Sequence, residues 1–118
     1  MAAEEDARIL EALFAVIEER RGGDAQTSYT ARLFEEGRGK IARKLGEEAV
    51  EVVVAALSEP GRIASESADL LYHLLVLWAD AGLGPTEVWA ELGRRQGISG
   101  IAEKAARGSG GRPEQGSG

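Results

Sequence analysis

Two short acidic segments hold the residues best suited to chemistry in this sequence of 118 residues. The first segment contains Glu47, Glu48 and Glu51, and the second contains Glu66 and Asp69. In a helix of about 100° per residue, the three glutamates lie on one side within about one turn, and Glu66 and Asp69 form an i,i+3 pair. Like charges at these spacings repel each other. The spacing therefore predicts a site where a bound cation neutralises several carboxylates.

A Pro60-Gly61 turn between the two segments makes their helices antiparallel neighbours, so the acidic pairs are expected to meet at similar depth. An all-oxygen ligand set favours Mg²⁺, with Mn²⁺ as the alternative, over Zn²⁺. A di-iron bundle is disfavoured because it uses Glu-x-x-His motifs, whereas the chain has a single His, His73. That residue is more typical of a buried core histidine than of a ligand. Exposed acidic helix faces remain the alternative for each carboxylate taken singly.

Basic side chains accompany the acidic face. Lys40 and Lys44 share the sector of Glu47 and Glu51, and arginines lie nearby in sequence. Because the net charge is −6, a general nucleic-acid binder is disfavoured, and a phosphorylated small substrate would require cations. We expect one or two basic residues to contact phosphates, and solvated side chains or helix ion pairs are the alternative. The candidates are Arg32, Arg38, Arg43, Lys40 and Lys44.

The apolar spacing predicts an all-α bundle of four to five helices. The predicted helices cover residues 4–21, a short segment capped by Thr30 and ending at Glu36, residues 40–58, residues 62–81, and residues 85 to about 95. Glycines at 37 and 39 predict a mobile loop over residues 37–40. Residues 99–107 are expected to add one short helical piece.

The chain is predicted to form one helical domain over residues 1–107, followed by a disordered Gly-rich tail over residues 108–118. Two stretches, 52–57 and most of 70–78, are apolar on every side, and such helices are expected to be buried all round. So short a chain has too few other helices to enclose both. We therefore predict a homodimer with a shared helical core.

Several function classes are excluded by composition. The chain has no Cys, which excludes disulfides and thiolate metal sites. Three of its first six residues are acidic and none is basic, so no signal peptide is expected. The longest apolar stretch, 70–79, is too short to span a bilayer. A cytoplasmic protein that binds neither membrane nor nucleic acid is the resulting prediction.

A Glu-Glu-x-x-Glu segment followed by Glu-x-x-Asp on a helical hairpin resembles the all-α nucleotide pyrophosphatase superfamily, the MazG-like and dimeric dUTPase group. The sequence is more closely similar to the phosphoribosyl-ATP pyrophosphatase family. Three stretches, 28–37, 44–53 and 66–77, carry this resemblance, and 99–104 gives a weaker match. It extends over roughly residues 8–106. With no Cys and one His, the chain resembles the standalone members rather than those fused to a zinc-dependent cyclohydrolase.

The resemblance implies hydrolysis of phosphoribosyl-ATP to phosphoribosyl-AMP and pyrophosphate, a step of histidine biosynthesis. It implies metal ligands at Glu48, Glu51, Glu66 and Asp69. Glu47 is implied at or next to the metal, and Glu47 or Glu48 would orient or deprotonate the attacking water. It also implies a substrate-binding segment made of Ser28, Tyr29 and Thr30. Two alternatives remain at this point: a pyrophosphatase acting on dUTP or modified nucleotides, and a non-catalytic dimeric bundle.

Overall fold

The computed structural model describes residues 5–96, which form five α-helices and no strand. A single 3-10 turn, Pro60–Arg62, joins the third helix to the fourth. The prediction of an all-α fold is confirmed. The predicted piece at 99–107 and the predicted tail at 108–118 lie outside the described residues. The helices are α1 (Arg8–Arg20), α2 (Tyr29–Glu36), α3 (Arg38–Ser58), α4 (Ile63–Ala81) and α5 (Pro85–Gln96).

The start of α1 differs from the predicted start at residue 4. The helix begins at Arg8, because the carboxylate of Asp6 accepts a hydrogen bond from the backbone N–H of Arg8 at 3.0 Å. The same carboxylate forms an ion pair with the Arg8 guanidinium at 2.7 Å. A side chain that binds the backbone locally offers it an alternative to helical hydrogen bonds. Asp6 therefore marks the boundary that apolar spacing alone placed too early.

The cap of α2 was predicted two residues too late. Ser28, in an extended conformation, caps the helix, and its hydroxyl oxygen accepts a hydrogen bond from the backbone N–H of Ala31 at 3.0 Å. Thr30 lies inside the first turn and is buried. Serine and threonine are both good caps, and the segment contains one of each. Ser28 is the cap because α2 begins at the next residue, Tyr29.

The predicted mobile loop over residues 37–40 is wrong. One residue, Gly37, separates α2 from α3, and Arg38 already belongs to α3. The Gly37 N–H donates to the Leu33 carbonyl at 3.0 Å, and the Gly37 carbonyl accepts from the Ile41 N–H at 3.1 Å. With φ at 97° and ψ at 176°, Gly37 occupies a region that is essentially restricted to glycine. The chain therefore changes direction within one residue.

The part of the chain that the structure describes divides into two compact units after Pro85. In the first unit, α3 and α4 form an antiparallel hairpin, against which α1 and α2 pack. Fully burying one large aliphatic side chain contributes about 1.5–3 kcal/mol, so this core is the main stabilising feature of the unit. The core consists of Ile17, Leu33, Ile41, Leu75, Val76 and Ala79.

In the second unit, α5 carries its own ion pairs. The carboxylate of Glu91 accepts hydrogen bonds from the guanidinium groups of Arg94 and Arg95, at 2.7 Å and 2.8 Å. These bonds lower the pKa of Glu91 to about 2. No helix within residues 5–96 is long and apolar enough to cross a membrane.

One face of α3 is apolar and exposed in the single chain. Val50, Val53, Val54 and Leu57 are 59%, 56%, 49% and 83% exposed, and their i, i+3, i+4, i+7 spacing aligns them along one side of the helix. We call these four residues the α3 stripe. Of the stretch 52–57, the single chain buries only Ala55.

Candidate active site

The α3–α4 hairpin brings three acidic side chains together. One carboxylate oxygen from each of Glu48, Glu66 and Asp69 lies within 4.8 Å of the others. Glu48 comes from α3, and the other two come from the first half of α4. The sequence expectation that acidic residues of the two helices meet is therefore confirmed for these three. We call them the carboxylate group.

The dimensions of the carboxylate group suit a small divalent cation. At a Mg–O distance of about 2.1 Å, neighbouring ligand oxygens in an octahedron lie about 3.0 Å apart and opposite ones about 4.2 Å apart. The observed limit of 4.8 Å requires only small side-chain adjustments to reach those values. Carboxylate oxygens are also the preferred ligands of Mg²⁺ and Mn²⁺. The residues present therefore fit the predicted cation in number, kind and spacing.

Glu66 is the buried member of the carboxylate group, with 5% of its surface exposed. A buried charge is costly unless it is paired. Arg62, one turn earlier, supplies the partner, since its guanidinium donates to the Glu66 carboxylate. The charge of Glu66 is the main cause that raises the pKa of Arg62, and Glu59, at 3.5 Å from the guanidinium, adds to it. Arg62 thus neutralises part of the negative charge of the site.

The other two predicted acidic residues, Glu47 and Glu51, lie outside the carboxylate group. Glu47 is exposed and accepts a hydrogen bond from the Lys44 ammonium at 3.2 Å, an interaction that raises the pKa of Lys44. Glu51, one turn after Glu48, is exposed and is not part of the carboxylate group. Its role as a ligand stays a prediction. Lys44 and Glu47 therefore border the site as an ion pair.

The start of α2 is bonded to the middle of α4 by two pairs of side chains. The hydroxyl of Tyr29 lies 3.1 Å from Nε2 of His73. The hydroxyls of Thr30 and Tyr72, both partly or fully buried, are hydrogen-bonded to each other. Burial raises the pKa of Tyr72, against the opposing effect of the Thr30 bond. Two adjacent residues of α2 thus contact two adjacent residues of α4.

Tyr29 belongs to this network and is also close enough to Glu48 for the charge of that carboxylate to act on its phenol. Burial is the main cause that raises its pKa, Lys44 opposes that shift, and the charges of Glu48 and Glu47 reinforce it. Its side chain is still 43% exposed. Of the predicted Ser28-Tyr29-Thr30 segment, Tyr29 is the exposed member, Ser28 accepts the capping hydrogen bond of α2, and Thr30 is buried. The substrate contacts of all three stay predictions.

The remaining predicted phosphate-binding residues have local partners. Lys40 lies 3.9 Å from Glu36, and Arg32 donates to the Ala25 carbonyl at 3.3 Å. Arg38 forms an ion pair with Asp80, about eleven residues beyond the last carboxylate of the site, which is roughly 16 Å along α4. Among the predicted basic residues, Lys44 is thus the one whose ion pair borders the carboxylate group.

Sequence reasoning gave no role to Arg62 and regarded His73 as a core residue. The signal for Arg62 was present, because it precedes Glu66 by four residues, a spacing that pairs opposite charges on a helix. His73 is indeed buried, but its ring also contacts Tyr29 across two helices. Nothing in the sequence links two residues that are so far apart along the chain.

The fold and the site define an all-helical protein with a candidate divalent-cation site of three carboxylates on a helical hairpin. The chain belongs to the phosphoribosyl-ATP pyrophosphohydrolase family, whose sequence profile matches residues 10–96.

Three relatives illustrate this membership, and each is called phosphoribosyl-ATP pyrophosphatase. The chain is 64% identical to the protein of Paramagnetospirillum magneticum over 104 residues, which cover 87% of this chain and 95% of the relative. It is 65% identical to the protein of Rhodospirillum rubrum over 100 residues, covering 84% and 86% of the two chains. It is 59% identical to the protein of Azospirillum brasilense over 102 residues, covering 86% and 92%.

Proposed function

We propose that this protein hydrolyses the α–β phosphoanhydride of phosphoribosyl-ATP, giving phosphoribosyl-AMP and pyrophosphate in histidine biosynthesis. Water supplies the oxygen and the two protons, one bond between phosphorus and the bridging oxygen breaks, and no redox partner is required. The observation that carries the proposal is the convergence of Glu48, Glu66 and Asp69 in a chain of this family. The names of the relatives above support the choice of substrate.

Mg²⁺, or Mn²⁺ in its place, is the proposed cofactor, held by the carboxylate group with Glu51 as a further candidate ligand. When bound, such an ion neutralises phosphate oxygens and the leaving pyrophosphate. The chain's own residues hold the site in shape. Glu66 is fixed by burial and by Arg62, and Asp69 follows it by one helical turn, so one rigid helix supplies two of the ligands.

Glu47 and Glu48 are the proposed groups that orient the attacking water or take its proton. Glu47 lies outside the carboxylate group but within hydrogen-bonding distance of Lys44, so its oxygens are not needed for the ion. Lys44 is the proposed phosphate contact nearest to the site. Arg32, Arg38 and Lys40 stay predicted phosphate contacts for the outer part of the substrate.

We also propose a homodimer, in which a second copy covers the α3 stripe. An aligned row of exposed Val and Leu side chains, on a helix whose sequence is apolar on every side, is typical of a protein interface. Replacing the most exposed member, Leu57, with Asp should convert the dimer to a monomer, as measured by light scattering at micromolar concentration. Leu92→Asp is a matched control, because Leu92 is also exposed, at 57%, but lies on α5. A wild-type protein that is already monomeric would remove this proposal.

The decisive test of the activity is pyrophosphate release from phosphoribosyl-ATP, with and without Mg²⁺, beside dUTP and ATP. Release only from phosphoribosyl-ATP and only with the metal is expected, and Asp69→Ala should lower it by about 10²- to 10³-fold, a loss typical of removing transition-state charge stabilisation. Release from dUTP or ATP instead would overturn the substrate. No release from any nucleotide would leave a non-catalytic bundle. The cytoplasmic location stays a prediction.

A further inference from the structure

His73 is a buried polar residue on α4 whose two ring nitrogens both have partners. It is 5% exposed, one helical turn after Asp69. Its Nδ1 lies 2.8 Å from the Asp69 backbone carbonyl, and its Nε2 lies 3.1 Å from the Tyr29 hydroxyl. The ring is packed edge-on against Tyr72, at 4.9 Å between ring centres, and against Tyr29, at 5.9 Å. This side chain is therefore held in one orientation.

The partners determine where the protons lie. A carbonyl oxygen only accepts hydrogen bonds, so Nδ1 must carry a proton. In a neutral imidazole Nε2 then offers a lone pair, and the Tyr29 hydroxyl must donate to it. With its proton directed toward His73, the Tyr29 oxygen presents lone pairs to its surroundings. Tyr29 is thereby made a hydrogen-bond acceptor rather than a donor.

The Tyr29 phenol lies where a hydrogen-bond acceptor could contact a bound nucleotide. The phenol is close enough to Lys44, Glu48 and Glu47 to feel their charges, yet a large part of the side chain is exposed. Phosphate oxygens only accept hydrogen bonds, whereas the sugar hydroxyls and the amino group of a nucleotide can donate them. The acceptor oxygen of Tyr29 therefore suits the sugar or the base rather than the phosphates.

We propose that His73 is a positioning residue that fixes the Tyr29 phenol, so that its oxygen accepts a hydrogen bond from a sugar hydroxyl or amino group of the bound nucleotide. The inference rests on the proposed function and assigns a specificity contact within that site. His73 itself touches neither the substrate nor the metal. Its effect is transmitted by the orientation of Tyr29.

Three variants separate the two bonds of His73. Tyr29→Phe removes the acceptor but keeps the ring. His73→Gln can place an oxygen where Nε2 lies and so keep the bond to Tyr29, whereas His73→Asn can only replace the Nδ1 donor to Asp69. Tyr72→Phe is the matched control, because it deletes a neighbouring phenol hydroxyl that bonds Thr30 instead of His73.

The measurement is steady-state hydrolysis of phosphoribosyl-ATP at saturating Mg²⁺, with the Mg²⁺ concentration for half-maximal rate as a second readout. One lost hydrogen bond of ordinary strength corresponds to about a 3- to 10-fold change. We expect Tyr29→Phe and His73→Asn each to raise KM by that factor, with kcat changed less than about 2-fold and the Mg²⁺ requirement unchanged. The double variant should be no worse than either single one, and His73→Gln and Tyr72→Phe should keep the wild-type KM.

A wild-type KM in Tyr29→Phe would overturn the inference, and so would additive effects in the double variant. A His73→Asn protein that loses thermal stability or kcat while KM stays constant would show a purely structural histidine. If the wild-type chain releases no pyrophosphate with Mg²⁺, the proposed function fails first and this contact fails with it. An active wild type with an unaffected Tyr29→Phe variant refutes only the contact.

Discussion

Replacing Glu66 with Gln tests whether the carboxylate group is a metal site or a coincidental acidic surface. The change keeps the shape of a side chain that is 5% exposed and removes its charge. Without metal, the substitution should stabilise the protein, because it removes two of the three carboxylate repulsions at the site. With metal, it should forfeit most of the stabilisation that the ion gives. The sign of the effect therefore depends on Mg²⁺.

The magnitude follows from the spacing. Two like charges at the 4.8 Å upper limit of the spacing repel by about 0.9 kcal/mol in water and about 3.5 kcal/mol at the effective dielectric of a protein surface. The lower part of this range applies, because Asp69 is exposed. The lost ion pair between Glu66 and the half-exposed Arg62 offsets part of the gain. A net stabilisation of roughly 1 kcal/mol remains, which raises Tm by about 4–8 °C in a domain of this size.

Thermal unfolding followed by circular dichroism, with and without MgCl₂, measures both effects. When the Mg²⁺ concentration is ten times its Kd, binding to the folded state adds about 1.4 kcal/mol to the free energy of unfolding. The Tm of the wild-type protein should therefore rise by roughly 6–11 °C. Adding Mg²⁺ should raise the Tm of Glu66→Gln by less than about 2 °C, a change smaller than the spread in the conversion from free energy to Tm. Glu59→Gln is the matched control, since it also loses a contact with Arg62, at 3.5 Å, but leaves the carboxylate group complete.

An equal Mg²⁺ shift in Glu66→Gln and wild type would refute the metal site. A Glu66→Gln protein that is less stable than wild type without Mg²⁺ would show instead that the Arg62 pairing outweighs the repulsion, and that the charge calculation is wrong.

Two further predictions concern ionisation and backbone geometry. Burial raises the pKa of both Tyr29 and Tyr72, the two tyrosines of the chain. The neutral phenols are thus favoured by folding, so their stabilising contribution is complete below about pH 10, the ordinary pKa of tyrosine, and is lost as the pH rises through the raised values. Phenolate absorbance measured against pH, beside circular dichroism, should show both ionisation steps displaced above the ordinary value while the protein is folded; a normal step for either residue would contradict this. At Gly37, with φ at 97°, an alanine should cost about 1–3 kcal/mol of unfolding free energy. Gly46→Ala should instead stabilise by about 0.5–1 kcal/mol, because Gly46 is inside α3 and its added methyl group meets nothing within 4 Å. Urea denaturation measures both glycine variants, and equal effects would show that backbone conformation is not the cause.

Helix positions and the meeting of acidic residues could be predicted because both depend on local spacing. The spacing of apolar residues and the Pro60-Gly61 turn determine that α3 and α4 form an antiparallel pair. In such a hairpin one face of each helix necessarily lies against the other helix. The boundaries were less accurate because they depend on single hydrogen bonds. Asp6 moved the start of α1, and Ser28 rather than Thr30 capped α2.

Partners across the fold could not be read from the sequence. The sequence predicted that Glu48 and Glu51 both meet Glu66 and Asp69, but in the described residues the structure brings Glu48 to them without Glu51. The packing angle of the two helices decides which carboxylate faces inward. The contact of Tyr29 with His73 has the same origin. The first depends on how α3 and α4 lie against each other, and the second on how α2 and α4 do. No local sequence pattern specifies either arrangement.

The single-residue junction at Gly37 has a consequence for how this sequence can change. A connection without spare length transmits any insertion or deletion directly into the direction of α3, and so into the position of Glu48. Length variation in related chains should therefore avoid this point and accumulate in the connector between α1 and α2, where residues 21–27 are mostly exposed. For the engineer, the same reasoning makes that connector the place for a tag or a fused domain, and makes the junction a place to leave intact.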